Sequence, residues 1–153
     1  MQITIAAIGK LKKNTPEDSL IQDYIKKTKW TVIIKEFEEK KSLTGEQLKE
    51  AESTLLLSGI PQGGKIIALD ERGKTPSSRE FAEILGKWID DGIQNITFLI
   101  GGANGHSEIL RQKADYKLSF GRMTLPHMLA RVVLAEQIYR AKTILDGHPY
   151  HKD

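Results

Sequence analysis

The chain has 153 residues, 23 Lys+Arg against 20 Asp+Glu for a net charge of +3, 39% apolar residues and no cysteine. That is the make-up of one globular domain, 1–153, large enough to bury a core, and the missing cysteines exclude disulfide frameworks, Cys-zinc sites and thiol nucleophiles. No apolar run approaches the roughly 20 residues of a membrane helix, and Met1-Gln2-Ile3-Thr4-Ile5 lacks the cationic lead of a signal peptide, so a cytoplasmic protein without a membrane partner is expected.

In chain order, Gln2 to Ile8 alternates β-branched and small residues before Gly9 and predicts an opening strand. Thr15-Pro16-Glu17-Asp18 supplies an N-cap, a proline at the first helical position and acids at the positive end of the dipole; Leu20, Ile21, Tyr24 and Ile25 follow at helical spacing. Trp30 to Phe37 reads as a second strand. Thr44-Gly45-Glu46-Gln47 is a capping-box pattern opening a helix through Leu48, Ala51 and Leu55 that Gly59 ends. Lys65 to Leu69 predicts a short strand leading into a turn, Asp70-Glu71-Arg72-Gly73. Ser77-Ser78-Arg79-Glu80 caps the next helix, which carries Phe81, Ile84, Leu85, Trp88 and Ile89 on one face and stops at Gly92. Asn95 to Ile100 is a strand running into Gly101-Gly102-Ala103-Asn104-Gly105. A short helix over Glu108 to Gln112, a brief strand near Tyr116 to Ser119, a loop to Leu125 and a long helix from Pro126 to about Leu145 complete the chain.

Strands regularly separated by helices define an α/β class with a mostly parallel sheet covered on both faces. Ligands of such sheets sit outside the strand carboxyl ends, which singles out the loops after Leu69, Ile100 and Ser119. Charge points the same way. Residues 1–100 carry 15 cations and 15 anions, whereas residues 101–153 carry 8 and 5 and all four histidines, His106, His127, His148 and His151.

Each motif has an ordinary reading beside a functional one. The Gly101–Gly105 loop lacks the G-x-G-x-x-G spacing of a dinucleotide site and the Gly-Lys-Ser/Thr of a P-loop, and is either a strand-to-helix turn or a ligand loop. In the segment Leu118 to His127, Met123 and Leu125 are either core contacts or apolar cover for an adenine ring. The last helix has more than one apolar stripe, which implies either a central position in the monomer or burial against a second copy. On it Glu136 and Arg140 form an i,i+4 pair, with Arg131 one further turn up. The tail Gly147-His148-Pro149-Tyr150-His151 combines a proton-exchanging residue type with a stacking aromatic; it is either a surface feature or a segment that docks over a substrate. A metal site would need a third ligand that the sequence does not offer.

Ile100-Gly101-Gly102-Ala103-Asn104-Gly105, Leu118-Ser119 through Met123-Thr124-Leu125-Pro126-His127, Arg131, Glu136-Gln137-Ile138-Tyr139-Arg140-Ala141 and Pro149-Tyr150-His151 together resemble the RlmH family, the YbeA-type SPOUT-class 23S rRNA pseudouridine N3-methyltransferases. The resemblance implies a SPOUT-type α/β fold with a C-terminal trefoil knot and a homodimer. It also implies methyl transfer from S-adenosylmethionine to N3 of a pseudouridine in helix 69. Carried over by position, it assigns the cofactor to Leu69, Gly101, Phe120, Gly121, Arg122, Met123, Thr124 and Leu125, and the substrate to Arg140, Tyr150 and His151.

Because an imide nitrogen must lose a proton to attack a sulfonium methyl, we expect His151 to accept or relay that proton. Arg140 would stabilise the anion developing on a uracil carbonyl, and Tyr150 would hold the base. One subunit's tail is expected to complete the other's cofactor pocket. A charge of only +3 suggests assembled ribosomes in preference to free RNA, and no DNA partner. Two rivals are a non-catalytic RNA-binding module and an ordinary doubly wound nucleotide-binding enzyme.

Overall fold

Alternation in the first strand, β1 (Gln2–Ile8), sends Ile3, Ile5 and Ala7 to one face of a sheet and Ala6 and Ile8 to the other. The computed structural model describes all 153 residues. It continues as α1 (Pro16–Lys27), β2 (Thr31–Phe37), α2 (Gly45–Ser58), β3 (Lys65–Lys74), α3 (Ser78–Asp90), β4 (Asn95–Ile100), α4 (Glu108–Lys113), β5 (Tyr116–Leu118) and α5 (His127–Leu145). All four strand pairings are parallel, in the order β2-β1-β4-β3-β5.

The connections step in alternating directions across the sheet, and a single crossover handedness then sends successive helices to opposite faces. On one face α3 and α5 contribute Phe81, Leu85, Leu134 and Ile138 to a core with Ile5, Ile67 and Phe98, and α1 lies against α5 there. On the other, Leu56 of α2 and Leu110 of α4 cover Ala6, Ala68 and Leu99. The α/β expectation holds in this three-layer form.

Two local readings need correction and a third is narrowed. Thr44 sits at the α2 N-cap but its side chain caps nothing; Gly45 after it opens the helix at φ +57°, outside helical geometry. Asp70 to Gly73 is no free turn: β3 runs to Lys74, and these residues bulge where both Leu69 and Lys74 register against Leu118. Finally, a second apolar stripe of α5 is met within the chain. Val132 and Ala135 pack on Ile21 of α1 while Leu134, Ile138 and Ala141 face the sheet, which leaves Leu129 and Leu145, 43% and 40% exposed, as large apolar side chains that α5 keeps open.

Candidate functional site

A cleft of about 710 Å³ opens at the carboxyl ends of β3, β4 and β5. Leu69, Gly101, Phe120, Gly121, Met123, Thr124 and Leu125 all line it; Arg122, the remaining position assigned to the cofactor, points out to solvent and does not. Gly101, Gly102, Gly105 and Gly121 bare the backbone at several points of the cleft wall, between charged side chains such as Lys49, Asp70 and Arg72 and apolar ones such as Leu69 and Phe120. A Cβ at Gly101 would come within 3.1 Å of the His106 ring and 3.2 Å of the Gly105 carbonyl. Gly121 takes φ +113°, a conformation only glycine adopts freely, and its amide donates to Ser119 Oγ at 3.1 Å. Met123 is 88% exposed at the rim, so it is not the core contact that one reading of the sequence allowed.

Below this surface lie groups that the sequence reading missed. His106 is buried, with neither ring nitrogen hydrogen-bonded, and burial lowers its pKa below 6.5 against the opposing pull of Asp70. Burial by itself would raise the Asp70 carboxyl, yet the Arg72 amide at 2.8 Å and the Arg111 guanidinium at 2.5 Å hold it below the ordinary range. Glu52 of α2 is buried with Oε1 unpartnered, 2.7 Å from where a Gly102 Cβ would stand, and burial raises its pKa. The glycine at position 102 was the available signal: its neighbour leaves no room for a side chain.

The second constellation lies on the outer side of α5, away from the cleft lining. Glu136 accepts from Arg140 Nη2 at 2.6 Å, from the Tyr150 hydroxyl at 2.7 Å and from Gln137 Nε2 at 2.9 Å. The Arg140 guanidinium stacks 4.7 Å above the Tyr150 ring, which meets Tyr139 edge-on. Arg140 Nη1 lies 3.1 Å from His151 Nδ1, and His151 Nε2 lies 2.9 Å from Asp153. An arginine only donates, so Nδ1 is the bare nitrogen and the proton sits on Nε2. Burial and the Glu136 carboxylate push the Tyr150 phenol well above its ordinary value, which keeps it a donor. Thus Arg140, Tyr150 and His151 do come together, around a Glu136 that spacing alone presents as a surface pair.

Arg131 does not join them. It is buried, ion-paired with Glu36, and donates to the carbonyls of Gly9 at 2.8 Å and Ile8 at 3.3 Å. It therefore plugs the carboxyl end of β1. In an ordinary doubly wound sheet a nucleotide sits between neighbouring strands whose connections diverge, here β1 and β4. Closing the β1 side argues against that rival and leaves the opening over β3, β4 and β5.

A family model described as a predicted SPOUT methyltransferase matches residues 1–151. The protein named ribosomal RNA large subunit methyltransferase H in Paramagnetospirillum magneticum is 51% identical over 152 residues, 99% of each chain. Its namesake in Rhodospirillum centenum is 47% identical over 152 residues, again 99% of each. Among solved structures, a probable methylase family protein from Haemophilus influenzae superposes with a TM-score of 0.55 at 14% identity, covering 99% of this chain and 70% of that one, a likeness of fold.

Proposed function

The chain belongs to the SPOUT methyltransferase family, and from that premise we propose that it methylates large-subunit rRNA with S-adenosylmethionine, at N3 of a pseudouridine in helix 69 of 23S rRNA. The reading includes a cytoplasmic homodimer acting on assembled ribosomes and a C-terminal segment threaded as a knot. It is supported above all by one arrangement: seven of the eight positions assigned to the cofactor line a single cleft, while the three assigned to the substrate cluster on α5 outside it.

The cleft suits the cofactor. Backbone amides and carbonyls at Gly101 and Gly121 reach its walls unobstructed by side chains, as recognition of an adenine edge requires, and Leu69, Phe120 and Leu125 offer apolar cover. When bound, the cofactor supplies an electrophilic methyl on a sulfonium. The chain's own residues must then orient uracil N3 and manage one proton. Tyr150, kept protonated, cannot take that proton; it holds the base by its ring and, once its hydroxyl leaves Glu136, by a hydrogen bond. Arg140 faces a uracil carbonyl and compensates the charge that builds there. His151 is the acceptor, and its bare Nδ1 is occupied by Arg140 in the single chain. Docking of the tail over a partner's cleft releases that nitrogen, so the site is composite and active only in the dimer.

Titration calorimetry with S-adenosylmethionine, followed by labelled-methyl transfer to ribosomes lacking the modification and mapping of the product, tests the reading. Cofactor binding with N3 methylation in helix 69 is expected. RNA affinity without cofactor binding would mean a binding module, and methylation at another nucleotide would overturn the assigned target. Free rRNA assayed in parallel should be the poorer substrate.

A further inference from the structure

The first acid of the chain is Glu17, and the loop between β1 and α1 ahead of it, Gly9-Lys10-Leu11-Lys12-Lys13-Asn14-Thr15, carries three lysines. All three are exposed and none has a carboxylate within ion-pair distance. Lys27, Lys49, Lys65, Lys87 and Lys142 each hold an acid, while others such as Lys40 and Lys41 also stand unpaired; the β1–α1 loop is set apart by gathering three such cations within seven residues.

The backbone that presents them is stiff. Arg131 grips the carbonyls of Ile8 and Gly9, Glu36 accepts the Leu11 amide at 2.8 Å, Thr15 Oγ1 donates to the Lys12 carbonyl at 2.9 Å, and Asp18 accepts the Asn14 amide at 3.0 Å. Asn14 closes the loop at φ +65°, and the Leu11 side chain packs against the cluster of Ile21, Val132 and Ala135. The two acids that touch the loop are spent on its amides, and the ammonium groups face outward. A prefixed backbone lowers the entropy lost when a ligand is gripped.

Position completes the argument. The loop leaves the carboxyl edge of the sheet, where the cleft opens, and Gly9 lies against Met128 and Arg131 of α5. The same turns of α5 give His127 and Ala130 to the cleft wall. Three unpaired cations on a rigid loop, next to a site read as acting on rRNA, fit a run of backbone phosphates.

We propose that Lys10, Lys12 and Lys13 form an RNA-phosphate contact that seats the rRNA substrate beside the cleft; this deepens the rRNA reading above and rests on it. Each phosphate neutralised by a lysine releases counterions and adds about 0.7 to 0.9 to the slope of log affinity against log salt. The experiment measures ribosome binding by co-sedimentation from low to high potassium chloride for the wild type, a Lys10→Gln/Lys12→Gln/Lys13→Gln variant and the matching triple Lys→Arg variant. Cofactor calorimetry and single-turnover methyl transfer at saturating ribosomes run alongside.

The glutamine variant should lose about 2 to 3 units of salt slope, with cofactor affinity and saturated rate unchanged, and the arginine variant should keep the wild-type slope. An unchanged slope in the glutamine variant overturns the proposal, as does, in parallel co-sedimentation with anionic phospholipid vesicles, a loss of vesicle binding with ribosome binding intact. A wild type that binds ribosomes with this salt dependence but transfers no methyl would instead sink the methyltransferase reading and leave the loop assignment standing.

Discussion

The cleft and the tail cluster are held in place differently. The cleft combines glycine turns at Gly101, Gly102, Gly105 and Gly121 with side chains carried on strand ends and their loops, so the sheet edge fixes it. The tail cluster is side chain: a guanidinium, a carboxylate, a phenol and an imidazole that hold one another through charge-assisted bonds around Glu136. A site anchored on strand ends keeps its shape without its ligand. A side-chain network can exchange partners, which is what the proposed composite dimer site would demand of the Arg140–His151 contact.

The sharpest way to break this contrast is to remove tail groups one at a time. His151→Ala and Arg140→Ala should each lower single-turnover methyl transfer by about 10²- to 10⁴-fold, with cofactor affinity by calorimetry within twofold of wild type. A parallel loss of cofactor affinity would show that the two regions are not separable. Next in size is Arg131→Met, which strands Glu36 and frees two carbonyls at the β1 end; it should cost about 3 kcal/mol in urea unfolding. It should also loosen the Lys10–Lys13 loop, read as faster amide exchange at Leu11.

On the cleft side, Gly101→Ala presses a methyl toward His106 and Gly105 and should weaken cofactor binding about tenfold, near 1.4 kcal/mol, without touching the tail. The smallest effect is on pH. His106 has a folded pKa below 6.5, so the unfolded chain binds the extra proton first and stability falls as pH drops below 6.5, until the folded pKa is passed. Unfolding curves at pH 7.5 and 5.5 should show that loss, and His106→Gln should remove most of it.

How far these regions were legible beforehand follows from the range of the forces involved. The strand end at Ile100 and the cleft-lining positions Leu69 and Ser119 could be read off, because alternation, caps and glycines act over a few residues and parallel sheets bind ligands at one edge; that β3 goes on past a bulge to Lys74 could not. The tail could be named but not located. Residue 140 and residues 150–151 meet only because Gly147, at φ +71°, folds the chain back along α5. Arg131, grouped with Glu136 and Arg140 by helical position, proved to belong to β1 and β2, because burial selects the partner that satisfies most of a guanidinium. Of the two explanations open for the apolar stripes of α5, a central position in the monomer accounts for one stripe, since α1, distant in sequence, covers it.

Charge draws the same line. The sequence by itself determined that the first hundred residues sum to zero and that a +3 excess lies beyond them. It also determined the alternation of strands and helices and the motifs that identify the family, since all of these are local patterns or plain sums. Only the tertiary structure decided that three lysines of that neutral stretch stand unpaired beside the cleft, that Glu52 and His106 converge beneath the glycine loop, and that the cleft and the tail stay apart in one chain. Those facts depend on distances between segments remote in sequence, which are set by packing and burial.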